Sequence, residues 1–400
     1  MNAKFKSMIL LLLLAATELL VPAALRQHFY HRSKAVYYIL FIAHILLSFW
    51  LWILIITVTD DRDFFDSPGH VWSTMMLAGM ITGVIIPRLI LIILHFTGRL
   101  IRYRSGGHIN WLTNTGLAVS VVIFLIIASG TLLGRFNFKT DTVEIRIKDL
   151  HPGLDGLKIV QLSDLHLAGF HHHRDLVAEQ MTVVNSLEPD LLVNTGDFVT
   201  FGWREFNNFD TVLSKAKGKF GNFAVLGNHD FGTYHPDYTQ ADKSNNVLRI
   251  NQFVESSGYQ VLNDEHKVLT VNGARIGIIG ITTLGRHPDI VHGDLDKAIM
   301  DLDSVDLRIL LSHDPNHWEL AVAGKTDIDI TLSGHTHGMQ MGIYTKKIKW
   351  SPSKYFYPHW SGLYTNGSQY HYVNRGLGVL AIPFRLWMPP EITLITLKRE

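Results

Sequence analysis

Phe223-Ala224-Val225-Leu226-Gly227-Asn228-His229-Asp230 decides how the rest of the chain is read. Four apolar residues followed by Gly-Asn describe a buried strand that stops in a tight turn. The turn presents an amide, an imidazole and a carboxylate together at the strand's C-terminal end, where open α/β sheets hold their ligands. Alone the turn is a modest signal, because Asn and Asp are ordinary turn residues. Its weight comes from four other strand ends of the same character.

Outward from this stretch, strands and helices alternate. An apolar strand over 157–162 ends in Ser163-Asp164-Leu165-His166. A helical stretch at about 175–187 is closed by Pro189, and a strand over 190–193 ends in Asn194-Thr195-Gly196-Asp197. A second helix, about 211–217, leads back to 223–226. This order predicts βαβ units and a largely parallel start to the sheet. Residues 142–147 alternate as a half-buried strand does, and 259–262, 267–271, 274–281, 307–311, 328–332 and 391–397 also read as extended. Two of these end in histidine: Leu311-Ser312-His313-Asp314 and Ser333-Gly334-His335-Thr336-His337-Gly338.

Five strand ends thus offer Asp164, His166, Asp197, Asn228, His229, His313, His335 and His337. One sheet could gather them in a crevice. Imidazole with carboxylate suits Zn, Fe or Mn, and Gly334 and Gly338 allow close backbone approach around the last pair. The chain has no Cys, which removes disulfides, thiolate zinc sites and Cys nucleophiles.

The motif set D-x-H, G-D, G-N-H-D, a single His and G-H-x-H resembles the calcineurin-like metallophosphoesterase family. The stretch Tyr372-Val373-Asn374-Arg375-Gly376-Leu377-Gly378, with Arg385 and Pro390-Glu391-Ile392, looks like its bacterial membrane-anchored branch. The resemblance covers about 145–400. It implies an α/β fold, a four-layer αββα metallophosphoesterase sandwich, and two divalent metal ions (Mn, Fe or Zn). Asp164, His166 and His337 are implied to bind one metal, Asn228, His313 and His335 the other, and Asp197 both. Such a pair acidifies a bridging water to hydroxide for in-line attack and draws charge from the phosphoryl oxygens. His229 is implied to be catalytic, acting on the leaving-group oxygen with an imidazole that titrates near working pH. Asp230 either orients His229 or serves the turn.

Other residues admit two readings. His171-His172-His173 either bind metal or open a surface helix. Arg375 and Arg385 either hold the substrate's phosphate or pair with acidic neighbours. His287 and His292 either line the site mouth or are solvated loop residues, and Asp314-Pro315 sets a turn.

Before residue 136 stand four long apolar runs, about 8–25, 35–58, 70–96 and 112–133. Each is near the ~20 residues needed to cross a ~30 Å hydrocarbon core. The expected domains are therefore a transmembrane anchor of about four helices over 1–135, a linker and first strand over 136–156, and a metallophosphoesterase domain over 157–400. The first run, with Lys4 and Lys6 ahead of it and Pro22-Ala23-Ala24 near its end, has features of a signal peptide. It is read as an uncleaved helix, because cleavage would leave the basic loop over 26–34 outside.

Residues 1–140 hold 12 Lys/Arg against 5 Asp/Glu, and residues 141–400 hold 24 against 30. The acidic back half is a poor electrostatic footprint for nucleic acid. Arg26, Arg32 and Lys34 make the first loop basic, as Arg99, Arg102 and Arg104 make the third. The second carries Asp60, Asp61, Asp63 and Asp66 against Arg62. Basic loops stay cytoplasmic, which puts the chain after Arg135 on the outer (periplasmic or extracellular) face of a multi-pass protein of the cell (inner) membrane. Glu18 and Arg88 are either functional intramembrane charges or helix-end groups that snorkel. Trp50, Trp52 and Trp72 are expected to form an aromatic belt.

The expected function is metal-dependent hydrolysis of a phosphoester or phosphoanhydride, as a phosphodiesterase or phosphatase. Anchorage points to membrane lipids and a lipid-linked substrate as partners, nucleic acid is disfavoured, and no protein partner is evident. The alternatives are a tethered hydrolase of soluble phosphoesters or nucleotides, and a non-enzymatic membrane protein with a vestigial site. The intact ligand set argues against the second.

Overall fold

A computed structural model describes residues 3–59, 64–105, 110–283, 293–302, 304–345 and 347–400. It divides into two compact units. The first comprises Met1–Arg62, Ser73–Leu132 and Ala381–Phe384, and the second Asp63–Trp72, Leu133–Leu380 and Arg385–Glu400.

The first unit is helical: α1 (Ala3–Phe29), α2 (Lys34–Thr59), α3 (Pro68–Met80), α4 (Ile86–Ser105) and α5 (Trp111–Leu132). Three stretches are long and apolar enough to cross a membrane: Lys34–Ile56, Pro68–Arg104 and Trp111–Phe136. The expected count was about four, and among the described residues three qualify. The first apolar run is helical within α1, but it opens on side chains that lie outside the description. A wide turn over Ile81–Ile85 joins α3 to α4, so the third run reads as one 37-residue segment. Glu18 and Arg88 meet each other rather than reaching for helix ends. Arg88 Nη1 lies 3.0 Å from Glu18 Oε1, and Ser48 Oγ donates to Glu18 Oε2 at 2.7 Å. Pairing of this kind is what a charge among apolar helices requires.

The second unit is built on two six-stranded sheets. The first runs, in spatial order, β1 (Lys139–Ile147), β14 (Glu391–Arg399), β2 (Lys158–Leu162), β3 (Leu191–Asn194), β4 (Asn222–Ala224) and β5 (Gln260–Val261). The second runs β12 (Gly362–Asn366), β13 (Gln369–Val373), β9 (Ile330–Ser333), β8 (Leu307–Leu311), β7 (Ala274–Gly280) and β6 (Glu265–Val271). Strands β2 to β5 are parallel, as are β7, β8, β9 and β13. A separate hairpin pairs β10 (Ile343–Tyr344) with β11 (Lys349–Trp350).

Alternate residues along each strand face opposite layers. Ile159, Leu191, Val193 and Phe223 meet Ile276, Ile278, Ile309 and Ile330 between the sheets. Val160, Leu162 and Leu192 point the other way, onto α6 (Arg174–Ser186) and α8 (Gln240–Ser256) through Val177, Met181, Ile250 and Val254. A short α7 (Asp210–Leu213) adds Val212 and Leu213 to that layer. Behind the second sheet, Ile279 and Leu310 pack on Leu295 and Ala298 of α9 (Leu295–Ile299), with Trp318 and Val322. The central strands β2, β3, β8 and β9 are buried along nearly their whole length because both faces are covered. The four-layer αββα order is the expected one.

Two features go beyond the sequence reading. β14 inserts between β1 and β2, parallel to the first and antiparallel to the second. Helix α8 was not anticipated, although Thr239 and Asp242 form a reciprocal capping box at its start and Asn246, Ile250 and Val254 mark its buried face. His287 and His292 lie outside the described residues.

Candidate active site

The candidate residues stand just after the C-terminal ends of parallel strands in both sheets. Asp164 and His166 follow β2, Asp197 follows β3, and Asn228, His229 and Asp230 follow β4. His313 follows β8, and His335 and His337 follow β9. The strand-end loops are stitched together by backbone bonds: Asp164 N–H to Gly196 O at 2.8 Å, His166 N–H to Asp197 O at 3.2 Å, and Gly334 N–H to His313 O at 3.0 Å.

These loops are tightly turned. Asp164, His166, Asp197, His335 and His337 have φ of 50°, 42°, 57°, 74° and 49°. Each such residue costs on the order of 1–3 kcal/mol, and persists only where its surroundings over-determine it. Here the His335 N–H donates to both oxygens of Asp164 at 3.0 Å. Two glycines make room for the functional groups. A Cβ on Gly227 would lie 2.1 Å from Asp197 Oδ1, and one on Gly334 would lie 2.3 Å from Asp164 Oδ2.

The ligand-type atoms converge in two groups, Asp164/His166/His337 and Asp197/His313/His335, each within 4.8 Å. In the first, His337 Nε2 lies 3.2 Å from Asp164 Oδ1 and 3.1 Å from His166 Nε2. In the second, His313 Nε2 lies 3.1 Å from both Asp197 Oδ2 and His335 Nδ1. Asp197 Oδ2 also stands 3.8 Å from His166 Nε2, so one carboxylate faces both groups. Asn228 gives its amide N–H to Tyr234 Oη at 3.0 Å and leaves a buried Oδ1 without a partner. Converging imidazole nitrogens, buried carboxylates and an orphaned amide oxygen are the donor set a pair of divalent cations requires.

The electrostatics point the same way. Burial opposes ionisation of Asp164 and Asp197, but His337 beside the first and His313 beside the second hold both carboxylates well below their usual range. Burial works to lower His313 too, yet the Asp197 carboxylate carries it up to about 10. His166 and His335 are lowered, chiefly by burial. The buried carboxylates thus draw positive charge into the site, and a cation would supply it.

His229 belongs to neither group. Its Nδ1 donates to the Thr200 carbonyl at 2.8 Å, its ring stacks on Tyr234 with centroids 4.2 Å apart, and it meets His166 edge-on at 5.1 Å. With Nδ1 committed, Nε2 is the nitrogen left to exchange a proton with a substrate. Asp230 does not orient this imidazole. Its two oxygens accept the backbone N–H groups of Asp197, Gly227, Phe198 and Val199 at 2.8, 2.9, 2.9 and 3.2 Å. Because those bonds consume the carboxylate, Asp230 ties two motif loops together instead of acting on substrate. Of the two readings of Asp230, as a catalytic partner that orients His229 or as a turn residue, these bonds favour the second.

The two arginines are also spent inside the fold. Arg375 Nη2 pairs with Asp141 at 2.8 Å and with Glu391 at 3.1 Å. Arg385 donates to the carbonyls of Arg375, Gly376 and Gly378 and lies 3.2 Å from His337 Nδ1. Both are fully buried. Of the triple histidine, His172 meets Trp72 edge-on at 4.6 Å and His173 precedes α6. Asp314 Oδ1 accepts the Asn316 N–H at 2.8 Å, the expected turn. The sequence reading missed Thr200, Tyr234 and Tyr357, whose hydroxyl lies 2.8 Å from His335 Nε2. None of the three sits in a patterned motif, and only tertiary packing brings them to the site.

Residues 157–339 match the calcineurin-like phosphoesterase family. The chain is 33% identical over 274 residues to the uncharacterized metallophosphoesterase YkuE of Bacillus subtilis (strain 168), covering 64% of this chain and 85% of that protein. It belongs to the calcineurin-like phosphoesterase family. This phosphoesterase is also 30% identical over 283 residues to the uncharacterized metallophosphoesterase Cj0846 of Campylobacter jejuni, covering 69% of this chain and 67% of the other. A Danio rerio protein named transmembrane protein with metallophosphoesterase domain is 31% identical over 293 residues, 70% of this chain and 63% of its own. Membership makes the chain a metal-dependent phosphoester hydrolase, and the fold and the two ligand groups agree with it.

Proposed function

We propose that this phosphoesterase is a membrane-anchored, dimetal enzyme that hydrolyses a phosphoester or phosphoanhydride bond, with a lipid-linked substrate as the first class to test. The observation that carries the reading is Asp197, whose Oδ2 faces His313 at 3.1 Å and His166 at 3.8 Å from between the two ligand groups. Asp164, His166 and His337 would hold one metal, Asn228, His313 and His335 the second, and Asp197 both. Bound there, the metals would activate a water and withdraw charge from the phosphoryl oxygens. The Thr200 carbonyl fixes the His229 ring, and His229 Nε2 exchanges the proton at the leaving oxygen. Asp230 and Gly227 hold the loop that carries both Asn228 and His229.

Three apolar helices and a relative named a transmembrane protein support anchorage. The charge alternation of the loops supports a multi-pass arrangement in the cell membrane with the phosphoesterase domain on the outer face. The expected domain limits, 1–135, 136–156 and 157–400, stand as part of the same proposal. A reporter fused after Arg135 tests orientation, and activity of a cytoplasm-dependent reporter there would reverse it.

The enzyme test is turnover of paired phosphomonoester and phosphodiester substrates in detergent, with added Mn²⁺ and with chelator. Metal-dependent turnover that His229→Ala abolishes without loss of bound metal is the expected result. Turnover that survives His229→Ala unchanged would remove His229 from the chemistry.

A further inference from the structure

From Thr331 to Pro390 the sequence holds no Asp or Glu, although residues 141–400 as a whole are acidic. Within that span, seven apolar or aromatic side chains stand out in solvent: Met339, Ile343, Ile348, Trp350, Tyr355, Phe356 and Trp387. Tyr355, Trp387 and Phe356 are 70, 66 and 60% exposed. Exposed Lys347, Lys349 and Lys354 lie among them in sequence.

The backbone beneath these side chains is tied down, so their exposure is not that of a loose loop. Ile343 pairs with Trp350 across the β10–β11 hairpin. Gly342 N–H donates to Leu386 O at 3.0 Å, and Leu386 N–H to Gln340 O at 2.8 Å, which sets Trp387 beside the strand that leads from Met339. Ser351 Oγ donates to Gly338 O at 2.6 Å, and Arg375 lies over the Tyr344 ring at 3.7 Å. The same segment borders the site: His337 opens the turn that contains Met339, and Tyr357, next to Phe356, reaches His335.

Aromatic and aliphatic side chains on a hydrogen-bonded backbone, with interspersed lysines and no acidic residue along the segment, are the composition of a surface that rests in a headgroup layer. Aromatic rings favour the membrane–water boundary, and lysines are drawn to anionic lipid. Chain continuity favours the same occupant. Ala381–Phe384 belongs to the helical unit, where a Cβ placed on Gly79 would lie 3.1 Å from the Pro383 ring, and Trp387 comes three residues after Phe384.

We propose that residues 339–345 and 347–357, with Leu386 and Trp387, form a platform that lies on the anionic phospholipid surface of the bilayer hosting the helices. The ligand-type histidines then sit at the edge of that surface, and the bond cut is a phosphoester presented at a lipid headgroup. The inference rests on the membrane-anchored reading above and adds to it the surface and the substrate class.

Because the chain has no Cys, single cysteines can be labelled without background. Phe356→Cys and Trp387→Cys, carrying an environment-sensitive fluorophore, would be placed in full-length protein reconstituted in phosphatidylcholine–phosphatidylglycerol vesicles. Ile45→Cys in α2 and Leu248→Cys on α8, both exposed apolar positions, are the membrane and water controls. Lipid-borne quenchers at headgroup depth should quench the labels at 356 and 387 several-fold more than the label at 248, and less so when phosphatidylglycerol is omitted, whereas a quencher at mid-bilayer depth should quench the label at 45, the centre of the Lys34–Ile56 span. Quenching at 45 but no more at 356 and 387 than at 248 would overturn the platform and leave the anchor standing. No quenching at 45 would remove the membrane reading and the platform with it. In parallel, Phe356→Asp with Trp387→Asp should lower the ratio of turnover on a vesicle-embedded phosphoester to that on a water-soluble one about tenfold. An unchanged ratio would show that the face serves a different partner, such as a protein.

Discussion

At the scale of single residues, the site depends on side chains held in costly conformations by many bonds. Asp197 is the clearest case, with φ of 57° and one carboxylate oxygen facing both ligand groups. Asp197→Ala should therefore release metal from both positions. Turnover should fall by at least about a hundredfold, the usual scale for losing one electrostatic contact in a preorganised site. Elemental analysis of the purified variant, beside a rate measurement, checks both parts. Asp230 predicts a different signature. Asp230→Asn turns a donor toward backbone N–H groups that need acceptors, which should cost about 2–4 kcal/mol of stability. A thermal melt should show that loss, whereas His229→Gln, which touches no such nest, should leave the melting temperature near that of the parent. The sequence left Asp230 open between orienting His229 and serving the turn, because a one-dimensional motif does not say which way a carboxylate turns.

At the scale of elements, the loop between β3 and α7 controls how His229 is presented. Thr200 accepts from His229 and contacts His166, and the loop is pinned by Glu205, which accepts the N–H groups of Thr200, Phe201 and Gly202 at 2.8, 2.6 and 3.3 Å. From outside, Phe65 packs on Phe201 with centroids 4.7 Å apart, and Asp66 pairs with Arg204 at 2.5 Å. Burial pushes the Glu205 carboxyl up to about 7 against the pull of its backbone donors. A carboxyl whose folded pKa exceeds its unfolded one holds its proton more tightly when folded. Its contribution to stability is full below the ordinary value near 4.5 and is lost as pH rises through about 7, an effect of up to about 3 kcal/mol. Melting temperatures measured at about pH 5 and about pH 8 should therefore differ more in the parent than in Glu205→Gln, whose amide does not titrate. Equal differences would show that Glu205 is already ionised across the range.

At the scale of the whole molecule, buried carboxylates in the sheet unit want cations, and the helical unit offers no such cluster among its described residues. Chelation should lower the melting transition of the sheet unit by about 5–10 °C while leaving helical content largely intact until a separate transition. Circular dichroism with and without chelator distinguishes this from a single joint unfolding. The sequence by itself determined the alternating β and α order, the apolar strands and the five strand-end motifs. Those signals are local, since side-chain period and turn residues are written in neighbouring positions. It also determined that the front of the chain is apolar enough to span a membrane, because length and composition suffice for that. Only the tertiary structure decided that β14 enters the first sheet between β1 and β2, that Thr200 rather than Asp230 holds His229, and that Arg375 and Arg385 are structural. Each of those outcomes joins residues far apart in the chain. Which of several equally good partners a buried charge or a sheet edge takes is settled by packing, and packing is not periodic in sequence.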